Sequence, residues 1–272
     1  MLLKTYLNFT YSKFKKMKTA LVCGSTQGIG KETAKQLASK GFSIVLMARS
    51  KDKLEATLSE LDSNQGQNHT YIQADFSDYT NVKIAIEDFI SKGNTVDVLV
   101  NNTGGPKGGP IIDADITEFL TTFKQHLICN HILVQAVVPG MKKNGGGRII
   151  NVISTSVKQP LNGLGVSNTI RGAVASWSKT LANELGQFNI TVNNVLPGAT
   201  NTERLSGIAK VRSEKTGESI EDIFTDMGQE SPMKRIAEPS EIANAIVFLA
   251  SDEASYINGI NVPVDGGRTK SL

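Results

Sequence analysis

The chain has 272 residues, 39% of them hydrophobic and 20% charged, with 25 glycines and 8 prolines, which excludes collagenous, coiled-coil and wholly disordered classes. Its net charge of +3 is uneven: Lys4, Lys13, Lys15, Lys16 and Lys18 precede the first acidic residue, Glu32, and without residues 1–16 there remain 25 basic against 26 acidic residues. A near-neutral body lacks the positive face that nucleic acid requires, and its longest apolar runs, such as Ile132 to Val138 interrupted by Gln135, fall far short of the ~20 residues of a membrane span.

In chain order, residues 1–16 have no long apolar stretch and no small-residue cleavage site, so they do not read as a secretory signal. They are basic, Ser/Thr-containing and acid-free, which loosely resembles an organelle transit peptide. The expectation is a disordered arm or a start assigned too early, because Met17 directly precedes the first strand pattern. From there apolar β-type runs alternate with helical patterns. The strands read at Thr19 to Cys23, Ser43 to Met47, Thr70 to Gln73, Val96 to Val100, Arg148 to Ile153, Ile190 to Val195 and Ile260 to Val264. Helices read at Ile29 to Ser39, Lys51 to Leu61, Asn81 to Ser91, Thr117 to Lys143, Gly165 to Gly186 and Ser240 to Ala250. This order predicts one α/β domain over 17–272, a doubly wound, mostly parallel Rossmann-type sheet of seven strands with helices on both faces. The charged, glycine-interrupted stretch from Thr202 to Pro239 reads as a helical lid over a cleft. Cys23 and Cys129, without a CxxC pair or a histidine at ligand spacing, read as reduced core residues of a cytoplasmic protein with no metal.

The first chemistry lies where strand one meets helix one, in Gly24-Ser25-Thr26-Gln27-Gly28-Ile29-Gly30. A diphosphate needs backbone N–H groups at close range and the positive end of a helix, and glycine permits both the turn and the approach. The spacing is GxxxGxG, weak by itself, but its place after the first strand of a seven-strand series strengthens it. At the end of strand two, Met47-Ala48-Arg49-Ser50 offers no carboxylate for a ribose, while Arg49 offers a fork of donors suited to a 2′-phosphate. The expected coenzyme is NADP(H) over NAD(H).

These residues resemble the short-chain dehydrogenase/reductase family. The glycine turn is similar to its TGxxxGIG with Cys23 in the Thr position, Asn101-Asn102-Thr103-Gly104 to its NNAG, Pro197-Gly198 with Thr200 and Thr202 to its PGxxxT, and Val264-Asp265-Gly266-Gly267 to its VDGG. The resemblance spans residues 18 to 267. It implies that Asp75 and Phe76 face the adenine, that Asn101, Thr103 and Gly104 line the coenzyme path, and that Pro197, Gly198, Thr200 and Thr202 border the nicotinamide. Gln27 departs from the base that NADP-preferring members often carry there, which leaves Arg49 as the sole marker.

The resemblance also implies hydride transfer between nicotinamide C4 and a carbonyl or alcohol, as in 3-oxoacyl reductases. In the family a Tyr gives the proton, a Lys four residues later lowers its pKa and holds the ribose, a Ser orients the carbonyl and an Asn supports a relay. A phenol of pKa ~10 works near neutral pH only when cations favour its ionised form. Here the Ser position is Ser154, but the Tyr position is Ser167, the Lys position is Arg171 and the Asn position is His126. No Tyr lies between 80 and 255. Three readings stay open: an oxidoreductase whose proton comes from Ser154 with His126, from water or from the substrate; a site in which Arg171 holds an anionic substrate, either a carboxylate or an acyl-carrier phosphate; and a catalytically silent NADP(H) sensor or oligomer partner. The helices over 117–143 and 165–186, with Leu133, Val137, Trp177 and Leu181, resemble the family's dimer face and imply a homodimer or homotetramer.

Overall fold

The computed structural model describes residues 17–271; the expected N-terminal arm, 1–16, lies outside the described residues. One parallel sheet of seven strands runs in the order β3-β2-β1-β4-β5-β6-β7. Its strands are β1 Thr19–Cys23, β2 Ser43–Ala48, β3 Thr70–Gln73, β4 Val98–Asn101, β5 Gly147–Val152, β6 Ile190–Pro197 and β7 Asn261–Val264. The helices are α1 Gly28–Ser39, α2 Lys51–Ser59, α3 Tyr79–Ser91, α4 Ile116–Phe123, α5 Cys129–Lys143, α6 Gly165–Leu185, α7 Glu203–Thr216, α8 Ile220–Gln229 and α9 Pro239–Ala250. Strands covered by helices on both faces bury both sets of side chains, which is why β1, β4 and β5 read as continuous apolar runs instead of alternating ones. Ala34, Leu37, Ile242 and Ile246 seal one face from α1 and α9; Val82, Ile86, Leu133, Val137 and Ala182 seal the other from α3, α5 and α6. Cys23 and Cys129 are free thiols in the second of these cores.

The chain leaves β1 toward β2 and β3, then returns to the other side of β1 with β4. Ligands of open parallel sheets bind at such a reversal, beyond the carboxyl ends of the strands. Behind that edge a row of register-matched asparagines crosses four strands. Asn101 Nδ2 donates to Asn151 Oδ1 at 2.8 Å, Asn151 Nδ2 to Asn194 Oδ1 at 3.1 Å, and Asn194 Nδ2 to Asn261 Oδ1 at 2.8 Å. Asn151 Nδ2 also reaches Ser178 Oγ on α6 at 2.9 Å. Polar groups buried in an apolar sheet are tolerated when they satisfy one another, and this row locks strand ends to helix α6.

Two expectations need correction. The helix read as continuous over Thr117 to Lys143 is α4 and α5 joined by one wide π turn at Lys124–Ile128. Strand four starts at Val98, not Val96, because the Asp97 carboxylate accepts the Thr19 N–H at 2.9 Å and turns the chain into the ladder there. The stretch 202–239 carries α7 and α8, both capped by a hydroxyl: Thr202 Oγ1 accepts from Leu205 N, and Ser219 Oγ from Asp222 N.

Candidate active site

The glycine turn is shaped by contacts that forbid side chains. Gly24 and Gly28 have φ of +58° and +51°, a left-handed conformation that favours glycine. A Cβ on Gly30 would stand 2.2 Å from the Gly24 carbonyl oxygen. Asn102 Nδ2 donates to the carbonyls of Cys23 at 3.2 Å and Gly24 at 3.3 Å, clamping the turn to the end of β4. No side chain caps the first turn of α1 at Gln27, and no acidic residue occupies that turn. Free N–H groups at a helix start, approached through glycines, make a cradle that fits a diphosphate. Thr26, Gln27, Gly28, Ile29 and Gly30 form its rim; a cleft of about 590 Å³ opens beside it, lined by Gln27, Gly28, Lys31, Thr202, Glu203 and Pro239. Ser25 is fully buried, and its Oγ accepts the Met47 N–H at 3.0 Å, so its hydroxyl tightens the β1–β2 edge.

At the ends of β2 and β3, Arg49 is exposed and its carbonyl accepts from Gln73 Nε2 at 3.0 Å. The Asp75 carboxyl is held below its ordinary range, chiefly by the Ser77 N–H it accepts and to a smaller extent by the Arg49 charge. Phe76 is half-buried and packs against the core on the α3–α5 side, and its carbonyl accepts from Cys129 Sγ at 3.5 Å.

The ends of β4, β5 and β6 form the rest. After β4, Asn101 begins the asparagine row and Thr103 Oγ1 lies 2.7 Å from His126 Nδ1; Gly104 has open space around its Cα. After β6, Pro197 and Gly198 turn against Asp265, whose Cα would be 2.7 Å from a Gly198 Cβ. The Gly198 carbonyl accepts from buried Thr200 Oγ1 at 3.0 Å, and Thr202 Oγ1 donates to the Thr200 carbonyl at 3.2 Å.

Ser154 follows β5 by two residues. It is half-buried, and its Oγ accepts the Ser156 N–H at 3.1 Å, capping a short 3₁₀ turn while its own proton remains free to be donated. Ser167 lies half-buried in the first turn of α6, and Arg171 one turn further. Arg171 is buried and donates through Nη1 to the Val152 carbonyl at 2.8 Å, which anchors it at the end of β5. Burial first, and then the Arg204 charge, brings its pKa down to about 10, still protonated at neutral pH.

His126 sits in the π turn, 2% exposed. Such turns recur at functional sites because they rotate one side chain out of the helical register. The sequence left His126, with Ser154, as one open source of the proton. Burial, then the Arg171 charge, with a smaller push from Arg204, hold its pKa well below 6.5 against the opposing Gly104 backbone. At neutral pH it is a neutral imidazole, not a stored proton.

Sequence reasoning missed Arg204 and quoted Asn102 only within its motif, without a role. Arg204 is the second residue of α7 and donates through Nη2 to the Pro106 carbonyl, tying α7 to the loop after β4. A cation in a first helical turn opposes the helix dipole, and that local conflict was the available signal. Among the described residues no group of three metal-ligating side chains occurs, and no helix is long and apolar enough to cross a membrane.

Comparison with known proteins agrees with this architecture. A family model described as Enoyl-(Acyl carrier protein) reductase matches residues 24–269. The 3-oxoacyl-[acyl-carrier-protein] reductase FabG of Staphylococcus epidermidis is 35% identical over 253 residues, covering 92% of this chain and 98% of that protein. Trans-4-hydroxycyclohexanecarboxylate dehydrogenase of Sinomonas cyclohexanicum is 34% identical over 263 residues, 93% of each. The structure of L-sorbose reductase from Gluconobacter frateurii, complexed with NADPH and L-sorbose, superimposes with a TM-score of 0.87 at 33% identity, covering 94% of this chain and 98% of that one. The seven-stranded sheet, the glycine turn on α1 and these matches together establish that the chain belongs to the short-chain dehydrogenase/reductase family of NAD(P)-dependent oxidoreductases.

Proposed function

We propose that the protein is an NADP(H)-dependent reductase of a carbonyl compound whose proton-delivery site lacks the family's Tyr and Lys. What supports this reading is Arg171 of α6, fixed on the Val152 carbonyl at the end of β5, two residues before Ser154, with Ser167 one turn before it on α6 and its charge felt by His126 of the π turn. The diphosphate would rest on Gly24 to Gly30, and Arg49 would pair with a 2′-phosphate, favouring NADP(H) over NAD(H). Thr103, Gly104, Pro197, Gly198, Thr200 and Thr202 would border the nicotinamide half. When bound, the coenzyme supplies the hydride at nicotinamide C4.

The protein's part follows from its own groups. Ser154 donates a hydrogen bond to the carbonyl oxygen. Arg171, fixed on the Val152 carbonyl, places positive charge where alkoxide charge develops, the kind of preorganised stabilisation that needs no proton of its own. Ser167 passes a proton from water, since a serine hydroxyl relays a proton well but is too weak an acid to be its source. Neutral His126 positions Thr103 through their 2.7 Å bond. The subunits would assemble as a homodimer or homotetramer through the α4–α6 side, where Ile116, Leu120 and Phe123 are exposed on one stripe of α4; sedimentation as a monomer at micromolar concentration would remove that part.

The test is turnover of NADPH against a broad carbonyl panel, with Ser154→Ala alongside. Loss of at least about 100-fold in rate, with NADPH affinity intact, is the expected outcome for a group acting on the reacting oxygen. NADPH bound but never oxidised would instead favour a silent coenzyme-binding module.

A further inference from the structure

Among the described residues, no acidic side chain pairs with Arg171 or Arg204 at the candidate site. Arg171 is 8% exposed, spends Nη1 on a carbonyl and buries Nε without a partner. Arg204 touches a second carbonyl, that of Pro106, and its guanidinium stands 3.3 Å from where a Gly105 Cβ would be. Burial weighs on both guanidiniums and Arg204 repels Arg171, yet no acidic side chain offsets either effect. His126, kept neutral by burial and by both charges, buries Nε2 without a hydrogen-bond partner. Holding an unpaired charge out of water costs several kcal/mol, so buried Arg171, with the exposed Arg204 adding like charge instead of a counter-ion, points to an anion brought by a ligand.

The coenzyme diphosphate is not that anion. Its cradle is at β1, whereas Arg171 is anchored at β5, two strands away and roughly 10 Å across the sheet. An acyl-carrier thioester does not supply it either: its reacting carbonyl is neutral and its phosphate sits at the far end of a long arm. Arg171 is fixed to the residue two before Ser154, so the anion it meets lies within a few bonds of the carbonyl that Ser154 would hold.

We propose that the substrate is a small oxo acid, or the matching hydroxy acid in reverse, whose carboxylate is gripped by Arg171 and Arg204 while Ser154 holds its ketone oxygen. This rests on the reductase reading above and names its substrate class. In the forward direction the ketone carbon gains a hydride from NADPH and the oxygen gains a proton from water. The C=O π bond breaks, the hydroxy acid is released, and the coenzyme leaves oxidised.

Oxo acids with the carboxylate one, two or three carbons from the ketone, and the methyl ester of each, are offered to the full-length protein with NADPH. Coenzyme oxidation and calorimetric binding to the NADPH-loaded protein are both recorded. One spacing is expected to bind at least about tenfold tighter as the acid than as the ester. Arg204→Gln should lower that acid-to-ester ratio about tenfold, and Arg204→Lys should restore part of it. Acids bound no better than their esters, or a ratio unmoved by Arg204→Gln, would overturn the proposal; if esters are nevertheless reduced, the reductase reading survives without it. Acids bound through Arg204 but never reduced would uphold the anion site and sink the reductase reading.

Discussion

His126 shows how far a residue's environment can change what its identity promises. The side chain usually titrates near neutrality, but here burial and two arginines push its pKa down. The sign is fixed by linkage: between the depressed folded value and the unfolded value of about 6.5, the unfolded chain binds a proton the native one refuses, so stability falls as pH drops. The slope from this one group cannot exceed about 1.4 kcal/mol per pH unit. Chemical denaturation from pH 7 to pH 5 should therefore show a steeper loss for the wild type than for His126→Gln; parallel curves would mean that the imidazole is not held neutral. From sequence alone only the residue type and its alignment position were legible, because burial, the main cause, is a property of the fold and the two arginines that add to it come from α6 and α7, 45 and 78 residues away.

At the scale of elements, the strands and helices that build the cradle were readable since apolar runs and their spacing encode them directly. The π turn was not: a hydrogen-bond ladder that slips by one residue at Lys124–Ile128 leaves the apolar spacing on either side nearly intact, so hydropathy continues through it. The asparagine row was likewise invisible as a row, since its members lie on β4, β5, β6 and β7 and meet only through register. Its central member is the test. Asn151→Leu would leave Asn101 Nδ2 and Asn194 Oδ1 short of a partner beside an apolar side chain, while Ser178 Oγ keeps its bond to the Val174 carbonyl. Denaturant melts should show a loss of about 2–4 kcal/mol, one to two unsatisfied buried groups' worth; a loss under about 0.5 kcal/mol would mean that the row contributes no cohesion.

For the whole molecule, topology does most of the functional work. Reversal of the winding at β1 and β4 opens a crevice, and the loops after β1, β4, β5 and β6 line it with glycines, hydroxyls and cations. The four motifs that resemble the family are legible in sequence because each one is a local requirement of that crevice: a turn without Cβ atoms, a clamp on it, a bend against Asp265. What α7 adds was illegible, since a charged stretch with α-helical composition does not announce that Arg204 will reach back to Pro106.

The most direct measurement is calorimetric titration of the protein with NADPH and with NADH, repeated on Arg49→Ala. The account predicts saturable binding at one site per chain, with NADPH favoured about tenfold or more in the wild type through a charge-assisted pair to the 2′-phosphate, and a much smaller preference in the variant. Absence of saturable heat with either coenzyme would contradict it.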